Sequence, residues 1–181
     1  MINRVMERDL FSDVWCYAFS GLLVKTPEGI KKVSRWGISG RITLAALEEH
    51  IGEYLPVLYP AEALWKMPFH GRDYIPLQGM ASMCYKPGTN VADHTVVDEK
   101  AGFYAIRIGK TVFGYDTEAQ AFLCIDESKR TVRCIPVKQQ YEMFRMMIIL
   151  KIDFLGLIKE GKAVSVYDFP EDPYLNRHEK E

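Results

Sequence analysis

Between Phe103 and Val137 the chain runs through four short segments of β-favouring residues separated by polar connectors, and no other stretch restricts the fold as tightly. Tyr104, Ile106 and Ile108 fall on one face of the first segment, because side chains in a strand alternate with a period of two. Gly109-Lys110 is compatible with a tight hairpin turn. Thr111 to Tyr115, Ala119 to Ile125 and Thr131 to Val137 follow at short spacing, joined by Asp116-Thr117-Glu118 and by Asp126 to Arg130. Connections this short suit antiparallel neighbours, so the pattern predicts a meander.

A helix is expected next, over Lys138 to Glu160, closed by Gly161. Tyr141, Phe144, Ile148, Ile152, Leu155 and Ile158 mark its face, and Met146, Met147, Ile149 and Leu150 broaden it. The breadth suggests a homodimer or partner docking through this helix. Ala163 to Phe169 reads as a final strand, and Pro170 to Glu181 as a polar C-terminal tail.

Upstream, Asn3 to Phe11 suggests a short helix and Val14 to Val24, rich in aromatic residues, a strand. Thr26-Pro27-Glu28-Gly29 has the chemistry of a type I or II turn, so Leu22 to Trp36 is expected to form a β-hairpin. Thr43 can cap a helix over Leu44 to Leu55, with Leu44, Leu47, Ile51 and Leu55 as its stripe and Pro56 as its stop. Pro60 to Met67 reads as a second short helix. From Pro68 to Lys100 prolines and glycines interrupt every pattern, which predicts an irregular excursion. The fold class that follows is α+β: a mainly antiparallel sheet packed by a long C-terminal helix and smaller N-terminal ones. A chain of 181 residues fits one globular domain, placed here over 1–169.

The charge balance, 23 Lys and Arg against 24 Asp and Glu, argues against a nucleic-acid partner, which calls for a basic excess or stripe. Met1 to Asp9 is too charged for a secretory signal core, and Arg145, Lys151 and Asp153 interrupt the longest apolar stretch, so no membrane span is expected. Cys16, Cys84, Cys124 and Cys134 show neither zinc spacing nor a C-x-x-C pair. Reduced thiols and a cytoplasmic location follow, with no metal and no cofactor expected.

Chemistry-bearing residues concentrate in the irregular stretch. Cys84, Asp93 and His94 supply the types a cysteine nucleophile needs: a thiol, a base and an orienting carboxylate. The plainer reading is a turn-forming loop with a half-buried thiol, since no family signature surrounds Cys84. His70, Arg72, Tyr74 and Tyr85 are candidate binding residues; His70 lacks the i, i+4 partner that a two-histidine metal site uses. Gly37-Ile38-Ser39-Gly40-Arg41 precedes a helix but lacks both phosphate-binding glycine patterns.

No motif outweighs its plain structural reading. The expectation is therefore a non-enzymatic cytoplasmic interaction protein (a binder, inhibitor or immunity-type protein) acting by surface complementarity on a protein partner. The alternatives are a small cysteine-dependent hydrolase or transferase using Cys84 and His94, and a small-ligand-binding domain with its pocket beside the 68–100 excursion.

Overall fold

The computed structural model describes residues 10–34, 40–50, 52–69, 72–85 and 88–175. It is an α+β fold whose strands pair mostly antiparallel. The chain divides into two compact units: Met1–Leu58 with Ile148–Glu181, and Tyr59–Met147 between them.

In the first unit, helix α1 (Leu10–Ala18) replaces the strand expected from Val14 onward. Val14, Tyr17 and Ala18 recur at helical spacing and all three are buried, so tertiary packing overrides the β preference of Trp15 and Tyr17. The helix expected over Asn3 to Phe11 falls mostly outside the described residues. The hairpin forms where the turn chemistry put it. Strand β1 (Leu23–Thr26) pairs with β2 (Gly29–Ser34), with Thr26 opposite Gly29. Gly29 takes a φ of +120°, a conformation that side-chain-bearing residues rarely adopt.

Strand β3 (Arg41–Thr43) runs parallel to β2. Thr43 then caps α2 (Leu44–Glu49), its hydroxyl oxygen accepting the Ala46 N–H at 3.1 Å. That helix is shorter than expected, because Leu55 and Pro56 belong to β4 (Leu55–Leu58), which pairs with β1. Gly52, at φ +90°, turns the chain between them.

In the second unit a 3-10 turn (Ala61–Leu64) stands where a second helix was expected. The irregular stretch resolves into a small hairpin of β5 (Met67–Phe69) and β6 (Arg72–Tyr74), a helix α3 (Pro76–Ser82) and a strand β7 (Thr95–Val97). Pro76 opens α3, where a missing N–H costs nothing. The meander follows as read: β8 (Phe103–Ile108), β9 (Thr111–Asp116), β10 (Ala121–Asp126) and β11 (Thr131–Cys134). The five strands lie in the order β11-β10-β9-β8-β7, every pair antiparallel.

Register places Ile106, Phe113, Cys124 and Arg133 in one cross-strand row and Tyr104, Tyr115 and Phe122 in a second row on the same face. Phe144 packs edge-on against Tyr115 and Phe122 there. On the opposite face Val97, Phe103, Ala105 and Val112 form a separate cluster with Leu123 and Ile125. The strands approach closely at Gly114, where a Cβ would lie 2.5 Å from both the Ala105 Cβ and the Tyr104 carbonyl oxygen.

Helix α4 covers Val137–Leu150 only, so the long helix expected to Glu160 ends ten residues early. Lys151 adopts a φ of +57° and breaks the helical path. Beyond it the buried Asp153 carboxylate accepts the N–H groups of Leu157 and Ile158, at 3.0 and 2.8 Å, in place of backbone carbonyls. Ile152, Leu155 and Ile158, read as part of one helical face, lie beyond the helix: Ile152 is buried, and Leu155 and Ile158 pack against the first unit's core.

The final strand is also shorter than expected. Strand β12 (Val164–Ser165) runs parallel to β4 and gives way to a 3-10 turn, Val166–Asp168, capped by Ser165. The first unit's sheet thus has the order β12-β4-β1-β2-β3. Its core gathers Val14, Tyr17, Leu22, Val24, Val33, Ile42, Leu47, Leu58, Leu157 and Ala163. The chain beyond Pro170 is tied down rather than frayed as far as Leu175: the Tyr174 hydroxyl accepts the Leu23 N–H at 3.1 Å and donates to the Val57 carbonyl at 2.7 Å. It thereby bridges β1 and β4 at the residue pair where their ladder ends.

Candidate functional site

The second unit carries the candidate site, at the edge of its sheet where β11 hands the chain to α4. The handover is abrupt because Pro136 ends the strand's hydrogen bonding and sits just before the first helical residue, Val137. One turn into α4, the Gln140 side-chain amide faces the backbone of Phe122. Its Oε1 accepts the Phe122 N–H at 3.0 Å and its Nε2 donates to the Phe122 carbonyl at 2.8 Å. A glutamine side chain thus stands in for the strand residue that β11 no longer supplies, and it pins the start of α4 to the sheet.

Two shallow recesses open beside this junction. One, of about 230 Å3, is lined by Cys84, Cys124, Arg133, Ile135, Pro136 and Gln139. The other, of about 380 Å3, is lined by Met83, Pro136, Lys138, Gln139 and Glu142. Pro136 and Gln139 border both. The Gln139 Nε2 donates to the Met83 carbonyl at 3.3 Å, which ties the end of α3 to the start of α4.

Around the recesses large apolar side chains face solvent: Met83 is 39% exposed, Val132 61%, Tyr141 64% and Val137 85%. Val137 and Tyr141 stand four residues apart, one above the other on α4, while Met143 and Met147 turn the helix's opposite side into the core.

The surroundings of the thiol at this site favour its neutral form. Burial pushes the Cys84 thiol up to about 11, with Cys124 acting in the same direction and the Arg133 charge only partly opposing them. A nucleophilic cysteine needs its thiolate favoured. Cys124 is buried, and its Sγ accepts a hydrogen bond from Arg133 Nη2 at 3.3 Å. Burial, with Cys124 as the next cause, also pushes the Tyr85 phenol up to about 12. Cys16, in the first unit, is a free thiol pushed up to about 11 by burial and by the Asp13 charge. Cys84 and Cys124 are free as well.

The residues singled out from the sequence are only partly brought together. Cys84 and Tyr85 follow α3 and gather with Cys124 and Arg133. Asp93 and His94 lie in the turn before β7, with the His94 Nδ1 3.1 Å from the Ala92 carbonyl oxygen. Among the described residues no hydrogen bond or ion pair joins Cys84 to either of them. His70 lies outside the described residues. Arg72 is exposed on β6. Tyr74 packs against Phe69 at 5.4 Å and crosses α3 at Gly79, where a Cβ would lie 2.6 Å from its hydroxyl. Among the described residues no group of three or more His, Cys, Asp or Glu side chains is placed to hold a metal ion. No helix among them is long and apolar enough to cross a membrane.

Sequence reasoning missed Arg133, Pro136, Gln139 and Gln140. A signal was present in Val132-Arg133-Cys134-Ile135: a lone arginine in an otherwise apolar segment must put its charge at an edge or against a partner. The geometry defines an exposed apolar ridge flanking two small recesses on an α+β unit. No known protein family, no curated protein and no solved structure matches the chain.

Proposed function

We propose that this is a cytoplasmic interaction protein that works without catalysis, docking a protein partner through the second unit where α3 ends and α4 begins. The observation that carries the reading is the group of exposed apolar side chains, Met83, Val137 and Tyr141, around the recess lined by Met83 and Pro136. Apolar side chains gathered at one place on a surface gain free energy when a partner removes them from water, at roughly 25 cal/mol per Å2. Methionine and tyrosine suit such a surface: the first adapts its shape, and the second combines apolar area with a polar tip. Free thiols at Cys16, Cys84 and Cys124 support the reducing compartment.

The test is site-specific photo-cross-linking in cells. A benzoylphenylalanine placed at Tyr141 in the full chain is expected to give one discrete adduct, lost when Val137→Asp is added. An adduct of the chain with itself would identify a second copy as the partner, through the helix first suggested by its apolar breadth. Absence of any adduct at Tyr141, with adducts equally absent at Met83 and Val137, would overturn the reading. Cellular activity abolished by Cys84→Ala in a folded protein would favour the cysteine-enzyme alternative instead.

A further inference from the structure

We propose that the outer edge of β11 takes up an extended, acidic segment of a partner protein as a sixth strand of the sheet, with a carboxylate of that segment held by Arg133. The inference rests on the interaction reading above and names the chemistry of its partner.

Three observations lead to it. First, β11 is the last strand on its side of the sheet, so β10 pairs with one edge of its backbone and, among the described residues, no strand pairs with the other. An unpaired edge is a template for strand addition.

Second, the charges around this edge are basic and unspent. Arg130, in the turn before β11, Arg133 within it and Lys138 at the start of α4 are all exposed. Among the described residues none of them has an ion-pair partner; Arg133 donates only to the Cys124 sulfur. The nearby acids are engaged elsewhere: Asp126 with Lys129, Glu127 with Arg107, and Glu142 with Arg145. The opposite edge of the same sheet has the reverse character: Asp93 and Asp98 flank β7, whereas Glu99 beside them is paired with Arg107. An acidic strand is therefore attracted to one edge and repelled from the other.

Third, the side chains of β11 offer something on both faces. Arg133 shares the face of Cys124 and borders the smaller recess, while Val132, 61% exposed, stands on the other face. A strand laid beside β11 would place one carboxylate near Arg133 and an adjacent aliphatic residue near Val132. A second apolar side chain, two positions from the carboxylate, would lie on the recess face beside Ile135 and Pro136. The segment is thus an alternation of acidic and aliphatic residues, not a run of acids.

The experiment is a selection of phage-displayed random dodecapeptides against the immobilised full chain in reducing buffer. The expected winners carry an acidic residue with aliphatic neighbours. As synthetic fluorescent peptides they should slow amide exchange at Thr131–Cys134. Their affinity should fall at least about tenfold in Arg133→Glu, and recover when the peptide's acid is changed to lysine. Lys138→Glu, on an exposed helix position, is expected to weaken binding in the same sense, with circular dichroism unchanged in both variants. Winners that lack acids, that protect a surface other than β11, or that bind Arg133→Glu within about twofold of wild type overturn the strand addition. Those results leave the broader interaction reading standing, because the adduct at Tyr141 reports on it separately. Self-association removed by Asp98→Lys would also overturn the proposal, by making β7 of a second copy the occupant.

Discussion

Replacing Gln140 should destabilise the second unit well beyond what an ordinary half-buried position would cost. The side chain makes two hydrogen bonds, at 3.0 and 2.8 Å, to the backbone N–H and carbonyl of a residue whose own side chain is fully buried. Gln140→Leu conserves most of the volume but removes both partners from Phe122. Each buried backbone group left unpaired costs about 1–3 kcal/mol. Gln140 is half-buried, so water reaches part of the gap, and a total of about 2–4 kcal/mol is expected. Gln140→Glu should also be costly at neutral pH, because it keeps an acceptor for the N–H but sets a carboxylate against the carbonyl. Gln139→Leu is the control: its side chain donates a 3.3 Å hydrogen bond to the carbonyl of Met83, a solvent-facing residue, so about 1 kcal/mol or less is expected. The assay is urea unfolding followed by Trp65 fluorescence, with Trp15 and Trp36 changed to phenylalanine. Trp65 reports on this unit because its indole N–H donates to the Ala105 carbonyl and its ring meets Tyr104 at 5.1 Å. A Gln140→Leu unfolding free energy lower than wild type by less than about 0.5 kcal/mol, at an unchanged slope, would refute the idea that this amide completes the sheet.

In the first unit, Tyr174→Phe removes the hydroxyl that bridges Leu23 and Val57, and should cost about 1–2 kcal/mol by urea unfolding read from Trp15. Gly114→Ala forces a methyl against the Ala105 and Tyr104 backbone and should cost about 1–3 kcal/mol; an unchanged melting temperature would contradict the close approach. Alkylation resolved by mass spectrometry should find Cys16 and Cys84 slow at neutral pH and faster only as the pH climbs toward about 11, and rapid labelling of Cys84 at neutral pH would refute its protonated state. Because burial raises the Cys84 thiol above its ordinary value of 9.0, its contribution to stability is complete below about pH 9 and is lost as pH rises through about 11, which pH-dependent unfolding of Cys84→Ala against wild type would detect.

The parts of the fold legible in the sequence are those where local chemistry and tertiary need agree. The Pro27-Glu28 turn, the Thr43 cap and the four meander strands each follow from a turn, a cap or an alternation that nothing distant opposes. The misses have identifiable causes. Trp15 and Tyr17 look like strand residues, yet Tyr17 is needed on a helix face, where its hydroxyl donates to the Ile152 carbonyl at 2.9 Å. The apolar periodicity continues past Leu150, but Lys151 turns left-handed and Asp153 takes over the hydrogen bonding, so one apparent helix face serves several turns. The candidate site was half legible. Cys84 and Tyr85 could be picked out by residue type, but their neighbours Cys124 and Arg133 come from the meander, and only the sheet's register brings them near. Gln140 carries no local signal, because its role depends on where β11 stops.

The interruption of the first unit by the second has a consequence for biosynthesis. Every strand of the second unit has left the ribosome before the first unit receives β12. Val57 waits roughly a hundred residues of synthesis for Val164, a long loop to close and a slow kind of contact to form. During that interval β4 presents a bare edge to the crowded surroundings of a nascent chain. Tyr174, which locks β4 to β1, arrives later still. Residues translated late therefore complete a sheet begun early. A stop codon just before Val164 would release a chain whose second unit holds all its strands and whose first unit remains open, a species for quality control rather than for function.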